Sequence, residues 1–249
     1  MFDMLHSRES TVGADVLRNT SAIVLCGGLG TRLRPVLAQI PKALAPIGED
    51  PLLDILLSYF KRQGIRDVIL ATGYGGDKIK NYYSRGQRFN LVFSEEPSPL
   101  GTGGALKKAL TYAKSGQVIV VNGDTLCPIN YADFLNFHLQ KKALLSMVLS
   151  AKNRKDGGGA RTDSEGLILD FEERSAVDTH PFISVGIYLL KKEAFKFMPE
   201  EEAFSLEYDF FPALVKTKRC FGYITKARAV DIGTPERYQG AKDILREFK

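Results

Sequence analysis

Leu25-Cys26-Gly27-Gly28-Leu29-Gly30-Thr31-Arg32-Leu33, followed by Pro35 and then Pro41-Lys42, is the stretch on which the fold turns. It comes directly after Ala22-Ile23-Val24-Leu25, an apolar run with the length and β-branched content of a buried strand. Gly27, Gly28 and Gly30 let the backbone turn sharply and approach a ligand with no side chain between. Backbone N–H groups in such a turn form a concave nest that attracts anions. Arg32 and Lys42 add full positive charges close by. Strand, glycine turn, Arg and Lys together make a phosphate cradle.

Spacing excludes two familiar phosphate loops. A P-loop places Lys-Ser or Lys-Thr directly after its last glycine, whereas Thr31-Arg32 follows Gly30 here. The dinucleotide fingerprint needs G-x-G-x-x-G opening a helix. This chain has G-G-x-G, and Pro35 and Pro41 disfavour a long helix after it. The segment from Gly27 to Lys42 is therefore expected to be a long loop folded over a ligand.

Around that loop, apolar runs alternate with helical patterns. Strands are predicted at 22–26, 67–72, 91–94 and 117–122, and helices at 52–62, 76–84, 103–114 and 131–141. This alternation predicts an α/β fold: a Rossmann-like mixed, mostly parallel sheet with helices on both faces. Ligands in such sheets bind beyond the carboxyl ends of the strands, where the glycine loop falls. Further on, 144–151, 167–171 and 182–190 are predicted strands, 155–159 a loop, and 205–215 and 234–247 helices. Residues 21–249 read as one domain in two parts, over about 21–125 and about 126–230. Residues 1–20 are weakly patterned and read as a poorly structured N-terminal extension.

The chain has 249 residues, enough to bury a sizeable core without a staple. Its 44% hydrophobic and 25% charged content is ordinary for a globular protein. No apolar run is long enough to span a bilayer, and no signal core is visible. The net charge of +5 is scattered among acids, which suits polyanionic substrates and gives no nucleic-acid footprint. Cys26, Cys127 and Cys220 are isolated, so neither a disulfide framework nor a zinc site is expected and a cytoplasmic location fits. His6, His138 and His180 sit in no motif.

Two acids stand out. Val118-Ile119-Val120-Val121 runs into Asn122-Gly123-Asp124, and a carboxylate ending a buried strand is costly unless a cation meets it. Mg2+ suits one or two carboxylates plus phosphate; an Asp capping the next turn is the alternative. Asp231-Ile232-Gly233-Thr234-Pro235 supplies a second acid ending a short strand, then Pro at a helix start. A third string, Glu95-Glu96-Pro97-Ser98-Pro99-Leu100-Gly101-Thr102-Gly103-Gly104-Ala105, follows a strand and opens a helix. Guanine presents adjacent N1–H and N2 amino donors, which one carboxylate accepts together. Glu96 thus favours GTP; the alternative leaves Glu96 in solvent and base reading to the backbone.

G-G-x-G-T-R-L-x-P followed by P-K resembles the signature of the sugar-1-phosphate nucleotidylyltransferases, and the Gly-Asp, P-L-G-T-G-G-A and D-I-G-T-P strings resemble the same family over residues 20 to 245. The resemblance implies that Leu25, Gly27, Gly28, Gly30, Thr31, Glu96, Gly101 and Thr102 hold the nucleotide. It implies that Arg32 and Lys42 meet its phosphates and act with Asp124 in catalysis. It also implies that Asp124 and Asp231 hold one Mg2+. Gly123, Glu173, Arg174, Ser184 and Glu207 fall where the family binds the sugar phosphate, though the family usually has Lys in place of Arg174 and often Asn in place of Ser184. The implied reaction joins a sugar 1-phosphate and an NTP into an NDP-sugar and pyrophosphate. The overall pattern looks most like the guanylyltransferases of D-glycero-D-manno-heptose 1-phosphate. Those of mannose 1-phosphate come next, then thymidylyl or uridylyl transfer to glucose 1-phosphate. A non-catalytic nucleotide-sugar-binding regulator is the reading from another class. Partners are then GTP and the sugar phosphate, with no nucleic acid or membrane, and homo-oligomer formation is left open.

Overall fold

The structure, a computed structural model, describes residues 17–84, 89–151, 157–173 and 180–245. Its strands are β1 (Ser21–Leu25), the small hairpin β2 (Pro46–Ile47) and β3 (Asp50–Pro51), β4 (Asp67–Thr72), β5 (Leu91–Glu95), β6 (Gln117–Asn122) and β7 (Thr125–Leu126). There follow β8 (Leu145–Ala151), β9 (Gly159–Thr162), β10 (Ile168–Glu172), β11 (Phe182–Lys191), β12 (Cys220–Thr225) and β13 (Val230–Asp231). The helices are α1 (Arg34–Leu37), α2 (Leu52–Arg62), α3 (Gly76–Ser84), α4 (Gly101–Ala109), α5 (Tyr131–Gln140), α6 (Phe211–Val215) and α7 (Pro235–Leu245).

One sheet runs β5-β4-β1-β6-β11-β8-β12, and the β9–β10 hairpin joins the start of β11. β1 pairs in parallel with both β4 and β6, as a strand buried on both faces should. Only β11 runs against its neighbours in the main path, between β6 and β8. The period of two divides the core cleanly. Ala22, Val24, Leu70 and Val121 face α2, α3, α5 and α7. Ile23, Ile69, Val120 and Leu145 face α4 and α6. Helices therefore cover both faces of a mixed, mostly parallel sheet. No described helix is long and apolar enough to cross a membrane.

After β1 the chain makes a 3-10 turn (Thr31–Leu33), the four-residue α1 and a second turn (Lys42–Leu44), with no long helix. Of the expected extension, residues 1–16 lie outside the described residues; Leu17 is packed in the core.

Three expectations need correction. Gly159, placed in a loop by its glycine neighbours, opens β9; a Cβ there would lie 2.8 Å from the His180 ring, so the glycine serves packing. β12 was not foreseen, because Gly222 interrupts its pattern; a Cβ on Gly222 would lie 2.4 Å from Leu149 Cδ1 on the neighbouring strand. The single helix expected over 205–215 is a wide turn, Leu206–Phe210, followed by α6. Pro212 sits in the first turn of α6, where its missing N–H costs nothing.

Candidate active site

The carboxyl ends of β1, β5 and β6 open onto one cavity of about 460 Å³. Its walls include Leu25, Gly27, Gly28, Gly30, Thr31, Arg32, Lys42, Glu96, Gly101, Thr102, Gly123 and Asp124. Every residue assigned from sequence to the nucleotide or to catalysis thus meets in one place. Asn122 and Gly233 line the same cavity and were missed. Asn122 Oδ1 is buried without a hydrogen-bond partner, the kind of group a ligand would satisfy.

Glycines shape the walls by close approach. A Cβ on Gly27 would lie 2.4 Å from Glu96 Oε1, so the loop after β1 lies directly against the candidate base reader. A Cβ on Gly123 would lie 2.8 Å from both the Leu25 carbonyl and Cys26 Sγ. Without a side chain there, the Gly123 N–H donates to the Leu25 carbonyl at 2.9 Å and draws Asp124 to the glycine loop. Glu96 Oε2 accepts from the Leu100 N–H at 3.1 Å. Burial raises the Glu96 pKa, against the lowering effects of that bond and of Lys108. Burial, helped by the Asp124 charge, pushes the Cys26 thiol up to about 12, which favours its protonated form.

The two candidate metal-binding acids meet at one end of a small ladder. Asp231 in β13 pairs with Thr125 in β7, next to Asp124. The Ile232 N–H donates to the Asp124 carbonyl at 3.1 Å. Their carboxylates point to different partners. Asp124 Oδ2 accepts from the Lys42 ammonium, and Oδ1 accepts from Thr125 Oγ1 at 3.1 Å. Asp231 Oδ1 accepts from the Gly233 N–H at 2.9 Å and from Arg237 Nη1 at 3.0 Å. Asp231 lines an adjoining groove together with Arg237, rather than the main cavity.

Three of the expected sugar-binding residues, Glu173, Ser184 and Glu207, act on a buried tyrosine, Tyr188. Tyr188 has its pKa raised by burial first, then by the charges of Glu207, Glu173 and Asp124, so all three carboxylates lie within electrostatic reach of it. Ser184 Oγ donates to Tyr188 Oη at 3.2 Å and accepts from the Gly186 N–H at 3.2 Å. Gly186, at φ +76°, sits in a bulge of β11, and a Cβ there would lie 2.6 Å from Asn122 Nδ2. Glu207 Oε2 accepts from Thr102 Oγ1 at 2.7 Å and from Ser205 Oγ at 2.9 Å. Thr102, a candidate nucleotide residue, is therefore bonded to Glu207, a candidate sugar residue. A Cβ on Gly158 would lie 2.9 Å from Glu173 Oε2, so Glu173 folds over that glycine. Arg174 lies outside the described residues.

A glycine loop, cationic side chains and acids at the ends of parallel strands have a match among known proteins. Residues 21–247 match the nucleotidyl transferase family. This chain belongs to that family. Among nucleotidyl transferases it is 35% identical over 228 residues to the D-glycero-alpha-D-manno-heptose 1-phosphate guanylyltransferase of Aneurinibacillus thermoaerophilus, covering 91% of this chain and 99% of that one. It is 36% identical over 218 residues to the protein of the same description from Campylobacter jejuni, covering 87% and 96%. The crystal structure of HddC from Yersinia pseudotuberculosis complexed with GMP-PN superposes with a TM-score of 0.77 at 32% identity, covering 92% of this nucleotidyl transferase and all of that chain.

Proposed function

We propose that this nucleotidyl transferase moves GMP from GTP to D-glycero-D-manno-heptose 1-phosphate, giving GDP-heptose and pyrophosphate. The observation that carries this reading is the single cavity joining the glycine loop, Arg32, Lys42, Asp124 and Glu96. The relatives named above supply the sugar and the base. The three described cysteines are free and buried, which supports a cytoplasmic setting.

The sugar phosphate is the nucleophile. A phosphate monoester has its second pKa at about 6, so it arrives largely ionised and needs no general base. This agrees with the absence of a His, Ser or Cys relay in the motifs. Catalysis is then placement and charge stabilisation. Backbone N–H groups of the glycine loop, Arg32 and Lys42 meet the triphosphate. Ser184, Glu173 and Glu207 offer acceptors and a hydroxyl to the sugar, and Arg174 is assigned its phosphate. Glu96 accepts from guanine N1–H and N2.

Asp124 and Asp231 fit Mg2+. They are hard oxygen donors, Asp231 pairing with Thr125, the residue after Asp124, and Mg2+ asks for only one or two carboxylates when phosphates complete its shell. When bound, the ion would neutralise and orient phosphate oxygens of both reactants.

The test is pyrophosphate release from GTP, UTP and TTP against heptose, mannose and glucose 1-phosphates. The heptose–GTP pair is expected to react fastest. Asp124→Asn and Asp231→Asn are each expected to lose at least ~100-fold in turnover with GTP still bound. GTP binding with no pyrophosphate from any pair would favour the non-catalytic regulator instead.

A further inference from the structure

Both candidate metal ligands are held by cations of the protein itself. Asp124 takes the Lys42 ammonium, and Asp231 takes the Arg237 guanidinium. The side chains are only 18% and 29% exposed in the first pair and 28% and 13% in the second, so water and salt screen them weakly. The two carboxylates and two cations sum to zero charge. Within these four side chains the acids are already offset, so a divalent ion that binds must displace hydrogen bonds to charged partners.

Gly233 marks where the second pair meets the cleft. A Cβ there would lie 2.9 Å from Asp231 Oδ1, 3.4 Å from Arg237 Nη1 and 3.8 Å from Arg32 Nη2. Gly233 is also a wall of the main cavity. A polyphosphate entering beside this glycine meets both guanidiniums, and one entering over the loop meets Lys42. Its charge competes with Asp231 for Arg237 and with Asp124 for Lys42.

We propose that Lys42 and Arg237 are built-in counter-cations that keep Asp124 and Asp231 closed to a divalent ion until a nucleotide draws them away. Arg237 is then a positioning residue that acts through Asp231. This rests on the reading of Asp124 and Asp231 as the metal-binding pair. Ion and nucleotide enter as a coupled pair, each tightening the other by the same factor.

The experiment is Mn2+ titration of the protein followed by electron paramagnetic resonance, with and without a non-hydrolysable GTP analogue. Wild type is expected to bind Mn2+ weakly alone and much more tightly with the analogue. Arg237→Gln is expected to tighten Mn2+ binding to the nucleotide-free protein about tenfold, the scale of one lost charge-assisted hydrogen bond. The same variant should shrink the enhancement given by the analogue. Lys42→Met should act likewise through Asp124, and it carries the test if Arg237→Gln does not fold. Lys226→Gln removes an equal charge from an exposed residue that also borders the groove of Asp231 and should leave the affinity within about twofold, separating contact from a general field. Unchanged nucleotide-free affinity in Arg237→Gln and Lys42→Met, or equal tightening in Lys226→Gln, overturns the proposal. If Asp231→Asn leaves Mn2+ affinity of the analogue complex unchanged, the metal assignment itself has failed; if it weakens that affinity while Arg237→Gln does nothing, only the counter-cation idea has.

Discussion

Glu96 carries most of the base selectivity proposed for this cleft, and its setting makes that role pH-dependent. Burial lifts its pKa above the usual carboxylate value, and the Leu100 N–H and Lys108 only partly offset the rise. Only the ionised form accepts from both N1–H and N2 of guanine. GTP affinity is therefore expected to fall as pH drops through a value higher than that of a free glutamate, while UTP affinity stays flat. Glu96→Gln should weaken GTP at neutral pH by about tenfold or more, since a charge-assisted acceptor is replaced by a mismatched donor, and should abolish that pH dependence. Isothermal titration at several pH values decides it; a Gln variant with wild-type GTP affinity and slope would return base reading to the backbone. At this scale the sequence was informative wherever chemistry needs consecutive positions. That Gly27 to Arg32 lines the cavity was legible because a candidate phosphate nest needs neighbouring N–H groups. The places of Asn122 and Gly233 on the cavity wall and of Arg237 beside Asp231 were not legible, because they depend on residues far along the chain, such as Gly186 and Arg32, that fold beside them.

At the scale of elements, the glycines of Leu100-Gly101-Thr102-Gly103-Gly104-Ala105 serve packing as well as any ligand. A Cβ on Gly101 would lie 2.5 Å from the Phe204 carbonyl, one on Gly103 2.2 Å from the Phe204 ring, and one on Gly104 2.1 Å from the Glu202 carbonyl. The glycines let the segment 202–206 lie flat on α4, which places Glu207 within reach of Thr102. Gly104→Ala must push backbone aside, so it is expected to cost about 1–3 kcal/mol in urea unfolding. It should also raise the KM for the sugar phosphate far more than the KM for GTP. A variant with both KM values unchanged would detach the strap from the sugar pocket. A second element contact is a histidine that the sequence left without a role. His138 on α5 is buried between Ser146 Oγ on β8, at 2.9 Å, and Gln117 Oε1 on β6, at 3.0 Å. Burial, then the Lys191 charge, lower its pKa from 6.5 to about 4. The unfolded chain therefore binds the extra proton first, and stability should fall as pH drops from 6.5 towards 4. The full loss is about 3 kcal/mol from a shift of this size. His138→Gln should flatten that limb in pH-dependent denaturation; a limb of unchanged slope would locate acid sensitivity elsewhere.

For the molecule as a whole, the alternation of strands and helices to residue 141 fixed the parallel half of the sheet, because that half repeats one unit. The second half was harder to see. β11 reverses direction, β9 is short and glycine-led, and β12 hides behind Gly222, so no single period runs through it. Yet the two halves share one sheet, with β6 and β11 paired over five positions from Val121–Ile187 to Gln117–Lys191. Both faces of that sheet are lined by core residues drawn from both halves. Unfolding is thus expected to be one transition, and a ligand held at the ends of β1 and β6 should protect strands that it never touches. GTP at about 100 times its Kd adds about 2.7 kcal/mol to the folded state. For a domain of this size that raises Tm by about 5–10 °C. It should also slow hydrogen exchange of globally protected amides by about 100-fold, in β12 as much as in β1. Slower exchange in β1 with no change in β12 would mean that the nucleotide-binding part opens on its own. The β6–β11 seam would then be a hinge between the two substrate sites rather than the interior of one cooperative sheet.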